Sequence, residues 1–115
     1  MEVLYCDKIK VIMNRVKFLR DDTQTFLLSF DDSTVSKIIN SLEILDELGE
    51  KIRPPRSKKV AKNVYELRVL GNLSVRIFYA FYDENIWVLH AFIKKSQRIP
   101  KKELAVVINR LNYLQ

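Results

Sequence analysis

Three apolar, β-branched and aromatic runs follow one another in the second half of the sequence, with very short separators. The runs are VYELRVL (64–70), SVRIFYAFY (74–82) and IWVLHAFI (86–93), and the separators are Gly71-Asn72-Leu73 and Asp83-Glu84-Asn85. Separators of this length join antiparallel strands as hairpins, because a parallel crossover needs about a dozen residues or more. The sequence therefore predicts a three-stranded antiparallel meander.

A strong helix is predicted before the meander. Apolar residues recur at spacings of three and four between Val35 and Leu48, which predicts a helix over 33–48. Asp31 and Asp32 suit its cap or first turn, where a carboxylate meets the positive end of the helix dipole, and Gly49 suits its end. This helix has clear signals at both boundaries.

A second strong helix is predicted after the meander, and a short one near the amino terminus. Pro100 suits the first turn of the last helix. The stretch DTQTFLLSF predicts a short helix that ends near Phe30, with Asp22 or Thr23 as its cap. The apolar face of the last helix consists of Leu104, Val107, Ile108, Leu111 and Leu114.

Two stretches are less clearly patterned. In residues 1–20, either VLYC or RVKFL suits a strand that joins the meander, and KIKVIMNRVKFL also suits a helix; we favour RVKFL as the strand. Residues 49–63 lack an apolar period and contain Pro54-Pro55, which predicts a basic loop. The order β-α-α-β-β-β-α predicts an α+β fold. In it, two N-terminal helices and one C-terminal helix pack on one face of a small antiparallel sheet, made of the meander and an N-terminal strand.

Length and composition predict one domain over residues 1–115 in a reducing compartment. The chain has 115 residues, of which 48% are hydrophobic, enough for a single core. Cys6 is the only cysteine, so no internal disulfide can form, and we expect an ordinary buried thiol. Charged residues interrupt the amino terminus where a signal peptide would be apolar, and no apolar run approaches the length of a membrane span. We expect a cytoplasmic protein that does not bind membranes.

The positive charge is concentrated in two segments. The net charge of the chain is +6, but residues 51–68 carry a net charge of +6 and residues 94–103 carry +4, which leaves −4 for the remainder. A local basic surface favours an anionic partner that binds at one place. For the second segment, a lysine-rich turn that is merely solvated is an equally good explanation from charge alone.

An arginine interrupts each of two neighbouring strands of the meander. If the hairpin brings their faces together, Arg68 and Arg76 become neighbours across the sheet, and two guanidinium groups bind a phosphate well. The alternative is that Arg68 pairs with Glu66 as part of the scaffold. Lys94, Lys95 and Arg98 are expected at the same opening.

Aromatic side chains near these cations favour RNA as the partner. Tyr82, Phe78 and Phe92 offer rings on which unpaired bases can stack. The sequence has no glycine-rich phosphate loop, no His/Cys metal cluster and no nucleophile elbow, so we expect neither a metal nor another cofactor. His90 is expected to be a hydrogen-bonded core histidine. Any catalysis is expected to be metal-free phosphate chemistry performed by cations.

The strands and the basic segment together resemble a known family. VYELRV, VRIFYAFYDENIWVLHAFIKKSQRIPKKELAVVINRL and, upstream, QTFLLSFDDSTVSKIINSLEILDELG resemble the RelE/ParE superfamily of toxins, in particular its HigB-like, phage-derived branch. The resemblance covers about residues 16–114, with KKSQRIP its most specific part, and residues 1–15 look like a divergent extension.

The resemblance implies a RelE-like fold and the toxin of a type II toxin-antitoxin pair. Many relatives cut mRNA on the ribosome without a metal, by attack of the 2′-OH that leaves a 2′,3′-cyclic phosphate. The implied partners are the ribosome, mRNA and a small cognate antitoxin of the helix-turn-helix type. A ParE-like toxin that binds gyrase, and a non-catalytic relative that binds RNA or a partner, are the alternatives.

The resemblance also implies roles for individual residues. Arg76 would bind the scissile phosphate, Arg68 would support it, and Lys94 or Lys95 would stabilise the transition state or protonate the leaving oxygen. The sequence departs from the family pattern at three positions: Val75 replaces a tyrosine, Glu66 replaces the lysine of the better-known branch, and Ile99 replaces a threonine. The remaining RNA-binding candidates are Lys58, Lys59, Tyr82, Gln97, Arg98 and Lys101.

Overall fold

The structure is a computed structural model that describes residues 13–69, 71 and 74–115. In chain order, its strands and helices are β1 (Val16–Phe18), α1 (Asp21–Leu27), α2 (Asp32–Leu48), β2 (Ser57–Ala61), β3 (Val64–Arg68), β4 (Val75–Tyr82), β5 (Asn85–Ile93) and α3 (Lys101–Leu114). A short 3₁₀ turn, Gly49–Lys51, follows α2. The α+β class and all three predicted helices are confirmed for these residues.

The strands form one five-stranded sheet in the order β1-β5-β4-β3-β2. The predicted meander is confirmed as β3-β4-β5, with antiparallel pairing throughout. The strand in RVKFL is also confirmed, but it pairs in parallel with β5, so that Val16 lies opposite Ile86. The sheet is therefore mixed. Two helices and three strands lie between β1 and β5 in the sequence, which provides the long connection that parallel pairing requires.

The predicted basic loop over 49–63 is wrong in part. Five of its residues, Ser57–Ala61, form β2, an edge strand that pairs antiparallel with β3. The signal was weak because an edge strand needs little apolar surface: Lys58 and Lys59 are both exposed, and only Ser57 is buried. The strand adds a fourth antiparallel strand next to the meander and places Lys58 beside Glu66.

The helices pack on both faces of the sheet, which corrects the one-face prediction. α2 packs on the face that carries Leu67, Ile77 and Tyr79. α3 packs on the opposite face, where Val107 and Leu111 join Phe78, Leu89 and their neighbours in a second apolar cluster. An amphipathic period identifies the buried side of a helix but not the face of the sheet that it covers.

The helix boundaries are set by local hydrogen bonds. Asp31 caps α2, since its side chain accepts hydrogen bonds from the backbone N–H and the hydroxyl of Thr34. Gly49 ends α2 with a φ of +53°, in the left-handed region that glycine adopts easily. The predicted cap of α1 is wrong: Arg20 occupies the cap position, and Asp22 lies in the first turn.

Several sequence predictions lie outside the described residues. These are the buried thiol of Cys6, the alternative strand VLYC and most of the divergent segment 1–15. Within the described part of the chain, no helix is long and apolar enough to cross a membrane.

Candidate functional site

Arg68 and Arg76 lie directly opposite each other on neighbouring strands. The register of β3 and β4 pairs these two residues next to the connection between the two strands. Alternation then separates them from the apolar cluster beneath α2, because Leu67 and Val75 point to the α2 face while the arginines point to the α3 face. α3 does not cover them completely: the side chain of Arg68 is 33% exposed and that of Arg76 is 18% exposed. The juxtaposition expected from the sequence is present.

Lys94 extends this arrangement to the end of β5. Its backbone N–H donates to the carbonyl of Ser74 over 2.8 Å, so the β4–β5 pairing continues beyond both strands. Arg76 pairs with Phe92, which puts Lys94 two residues further along the same face. Its side chain is 14% exposed. The strand therefore delivers a lysine ammonium group next to the two guanidinium groups.

A buried carboxylate lies between these three cations. Glu66 is 1% exposed, and its Oε1 lies 3.5 Å from Nε of Arg68 and 3.9 Å from Nε of Arg76. Its Oε2 lies 3.7 Å from Nζ of Lys94. The alternative weighed from the sequence, that Arg68 pairs with Glu66, is thus partly correct. One carboxylate faces three cations, however, which leaves the cluster with a positive excess.

The cations line an open pocket of about 500 Å³ at this corner of the sheet. Its lining contains five cationic side chains and no acidic one, since Glu66 lies beneath them. Several positive charges close together and paired guanidinium donors suit an oxyanion such as a phosphate. The lining residues are Lys58, Arg68, Ser74, Arg76, Lys94, Lys95, Ser96 and Gln97.

All four proposed catalytic residues and two RNA-binding candidates, Lys58 and Gln97, line this pocket. Lys58 enters it from β2, where it pairs with Glu66. Lys59 pairs with Tyr65 instead, so it lies on the opposite face. Tyr82 is exposed but lies at the far end of β4, about 20 Å from Arg76 along the strand. Arg98 and Lys101 are exposed beyond the pocket lining.

The suggestion that Phe78 and Phe92 stack on bases is wrong. Phe78 is fully buried and Phe92 is 7% exposed. Their rings stack on each other with centroids 5.4 Å apart, inside the cluster beneath α3. The α3 helix covers this part of the face, so these rings support the pocket and do not reach a ligand.

His90 lies outside the pocket and is hydrogen-bonded, as expected, but it is only partly buried and is not a core residue. Its Nε2 lies 3.2 Å from a carboxylate oxygen of Glu103, and its Nδ1 lies 3.3 Å from a guanidinium nitrogen of Arg110. Because a guanidinium can only donate, Nδ1 accepts and Nε2 carries the proton. Burial lowers the pKa of Arg110, whose guanidinium also donates to the carbonyl of Leu89.

Sequence reasoning missed two serines and the role of one carboxylate. Ser74 and Ser96 line the pocket, and their position next to strand ends was the only available signal. The alternation of β3 did put Glu66 on the face of Arg68, but its depth was not foreseen, because charged side chains are rarely buried. In the described ranges, no three acidic or histidine side chains converge in a way that could hold a metal ion.

The chain also matches a family model. Residues 25–112 match the model of the family described as Phage derived protein Gp49-like (DUF891). The chain belongs to the Gp49-like family. This is a RelE/toxin-like family, so membership suggests a phage-derived toxin of a toxin-antitoxin pair. The matched range contains every residue of the pocket lining. No curated protein matches the chain.

Proposed function

We propose that this Gp49-like protein is the toxin of a type II toxin-antitoxin pair, of the HigB-like branch, and that it cuts mRNA on the ribosome without a metal. The observation that carries the proposal is the pocket in which Arg68, Arg76, Lys94 and Lys95 converge. A surface that only binds a protein does not require a cluster of cationic side chains that can bind phosphate. Family membership gives independent support for a toxin.

The proposed reaction is an in-line displacement at phosphorus. The 2′-oxygen attacks the adjacent phosphodiester and releases its proton to solvent, the bond from phosphorus to the 5′-oxygen breaks, and that oxygen gains a proton. The products are a 2′,3′-cyclic phosphate and a 5′-OH. Negative charge grows on the phosphoryl oxygens and on the leaving oxygen, so donors fixed in advance lower the barrier.

Each cation has a role in this scheme. Arg76, the less exposed arginine, binds the phosphoryl oxygens, and Arg68 supports them from the opposite strand. Lys94 or Lys95 stabilises or protonates the leaving oxygen. Lys58 and Gln97, which also line the pocket, contact the flanking nucleotides.

The test is expression without antitoxin, followed by mapping of new 5′ ends in translated mRNA. We expect growth arrest and new cleavages for the wild-type chain. The Arg76→Ala variant should lower cleavage by about 100-fold or more, because it removes a charged donor from the transition state. Arg53→Ala is the matched control, since Arg53 is an exposed arginine outside the pocket lining.

The outcomes separate the candidate functions. Intact transcripts together with defects in DNA supercoiling would favour a gyrase-binding toxin. An Arg76→Ala variant that is folded and fully toxic would contradict the assignment of the pocket. Binding of RNA without either effect would leave a non-catalytic relative. A reading frame for a small helix-turn-helix protein next to this one would support the proposed antitoxin partner.

A further inference from the structure

Glu66 is the one buried carboxylate of the described chain that is surrounded by the pocket cations. Its side chain points to the same face as Arg68, yet it is 1% exposed and does not line the pocket. Burial of a charge is costly unless it is compensated, and here Arg68, Arg76 and Lys94 supply the compensation. A side chain in this position acts on the cations and not on a ligand.

The contacts of Glu66 are long for hydrogen bonds. They span 3.5, 3.9 and 3.7 Å, whereas a charge-assisted N–H···O bond is usually near 2.8 Å. Within the described part of the chain, Glu66 Oε2 and Arg76 Nε have no hydrogen-bond partner at all. In the described residues, Glu66 accepts one hydrogen bond from these cations, from Nε of Arg68, and Nη1 of Arg76 donates to the carbonyl of Val75. The carboxylate thus attracts the cations and leaves the remaining Nη–H groups of Arg68 and Arg76 and the ammonium group of Lys94 to bind an oxyanion above them.

Without the carboxylate, the three cations would repel one another. Like charges directly opposite in a sheet are destabilising, and Arg68 and Arg76 occupy such a pair. One carboxylate reduces the charge of the group from +3 to +2, which keeps the cations together and still leaves an attraction for phosphate. Fixed donors stabilise a bound phosphate more than mobile donors do, because they need no reorganisation when the ligand binds.

We propose that Glu66 is a positioning residue, which holds Arg68, Arg76 and Lys94 convergent beneath a single phosphate. The part of this inference that concerns cleavage rests on the proposed function. The part that concerns the arrangement of the cations does not. The depth of Glu66 argues against a general base, since its oxygens lie under the cations and not at the open side of the pocket.

The test uses Glu66→Gln, which keeps the shape and removes the charge. Binding of a fully 2′-O-methylated RNA oligonucleotide, which cannot be cleaved, should not weaken, because the pocket becomes more positive. Cleavage on translating ribosomes at saturation should fall by about tenfold to 100-fold, because the donors are no longer held in place. Glu66→Asp keeps the charge and should retain more activity than Glu66→Gln.

A second readout does not depend on cleavage. The Nε–H signals of Arg68 and Arg76 in NMR spectra should be protected from exchange in the wild-type chain and lost in Glu66→Gln. Glu103→Gln is the matched control, since Glu103 is a partly buried carboxylate bound to His90 outside the pocket. This control should change neither the arginine signals nor the cleavage rate.

Several outcomes would overturn the inference. They are unchanged arginine signals in Glu66→Gln, cleavage at the wild-type rate, or a parallel loss of binding, cleavage and stability that Glu66→Asp does not relieve. If the wild-type chain cuts no RNA but the arginine signals disappear in Glu66→Gln, the nuclease proposal fails and the positioning role stands. Should Glu66→Gln not fold, Glu66→Gln with Lys94→Gln removes one charge of each sign, and the same signals should be lost.

Discussion

At the scale of single residues, Lys58 and Lys59 are consecutive in β2 but lie on opposite faces of the sheet. Lys58 pairs with Glu66, whose side chain lies beneath the pocket, whereas Lys59 pairs with Tyr65, which packs against the α2 face. Both lysines are exposed. They form a matched pair that shares charge and exposure and differs in direction.

Replacement of these lysines should separate pocket contacts from general charge. Lys58→Ala should weaken binding of methylated RNA and lower the slope of log K against log salt by about 0.7, the value for one phosphate contact on a single strand. Lys59→Ala should leave the slope unchanged. Fluorescence titrations over a range of salt concentrations measure both. Equal losses for the two variants would show that the pocket has no special part in binding.

The same residues show how far the sequence predicts the site. Strand alternation was sufficient to bring Arg68 and Arg76 together, because the hairpin left little freedom in register. It was not sufficient for Lys59, because the sequence of β2 predicts a loop, in which alternation does not assign side chains to the faces of a sheet. Nor did it reveal that Phe78 and Phe92 are buried, because the apolar period of α3 does not tell which face of the sheet the helix covers.

At the scale of elements, one aspartate joins α2 to the first strand. The carboxylate of Asp46 accepts hydrogen bonds from the backbone N–H groups of Asn14, Arg15 and Val16, over 3.1, 2.7 and 2.8 Å. β1 has only three residues, and its strand partner within the described chain is β5. The position of this short edge strand thus depends on a helix side chain as much as on the sheet.

Asp46→Ala should therefore destabilise the protein by about 2 kcal/mol, because backbone donors lose a charged acceptor. Urea denaturation measures the loss, and hydrogen exchange should show it first in the amide of Val16. Glu47→Ala is the control, since Glu47 is the neighbouring exposed acid of the same helix. A loss as large in the control would mean that the helix itself, and not its contact with β1, was weakened.

The elements also differ in how well the sequence predicted them. The meander and α2 were correct because short separators, Asp31 and Gly49 fix boundaries by local chemistry. The direction of β1 and the face chosen by α3 depend on contacts between distant parts of the chain, which no local pattern contains. One signal was overlooked: RIFYAFY is apolar at nearly every position, as expected of a strand covered on both faces.

At the scale of the whole molecule, several ion pairs and caps respond to acid. Hydrogen bonding to Arg15 lowers the pKa of Glu50, the Arg20 guanidinium lowers that of Asp22, and bonds from Thr34 lower that of Asp31. A lowered pKa in the folded state contributes stability above the pKa of the unfolded chain. That stability disappears as the pH falls through the lowered value.

Stability should therefore decrease as the pH falls below about 4.5, the ordinary value for glutamate. Glu50→Gln should cost less than about 1 kcal/mol at pH 7, because Arg15 and Glu50 are 33% and 64% exposed and the pair is screened. Below pH 4.5 the difference between this variant and the wild-type chain should shrink. Urea denaturation between pH 7 and pH 3 measures it.

The control for this series is Glu47→Gln, which removes an exposed carboxylate without an ion pair in the described structure. At pH 7 this variant should be about as stable as the wild-type chain, because it loses no ion pair of the described structure. A difference for Glu50→Gln that grows as the pH falls would reverse the sign of the linkage. It would mean that the carboxylate is less acidic in the folded chain than in the unfolded one.

The register of the sheet has a consequence for the order in which the protein folds. Arg68 and Arg76 pair across a hairpin and are eight residues apart, whereas β1 meets β5 across 70 residues, from Val16 to Ile86. Closing a short loop costs less chain entropy and is faster than closing a long one. The cationic corner can thus assemble while the first strand is still undocked. A nascent chain would acquire its affinity for phosphate before it acquires its full stability.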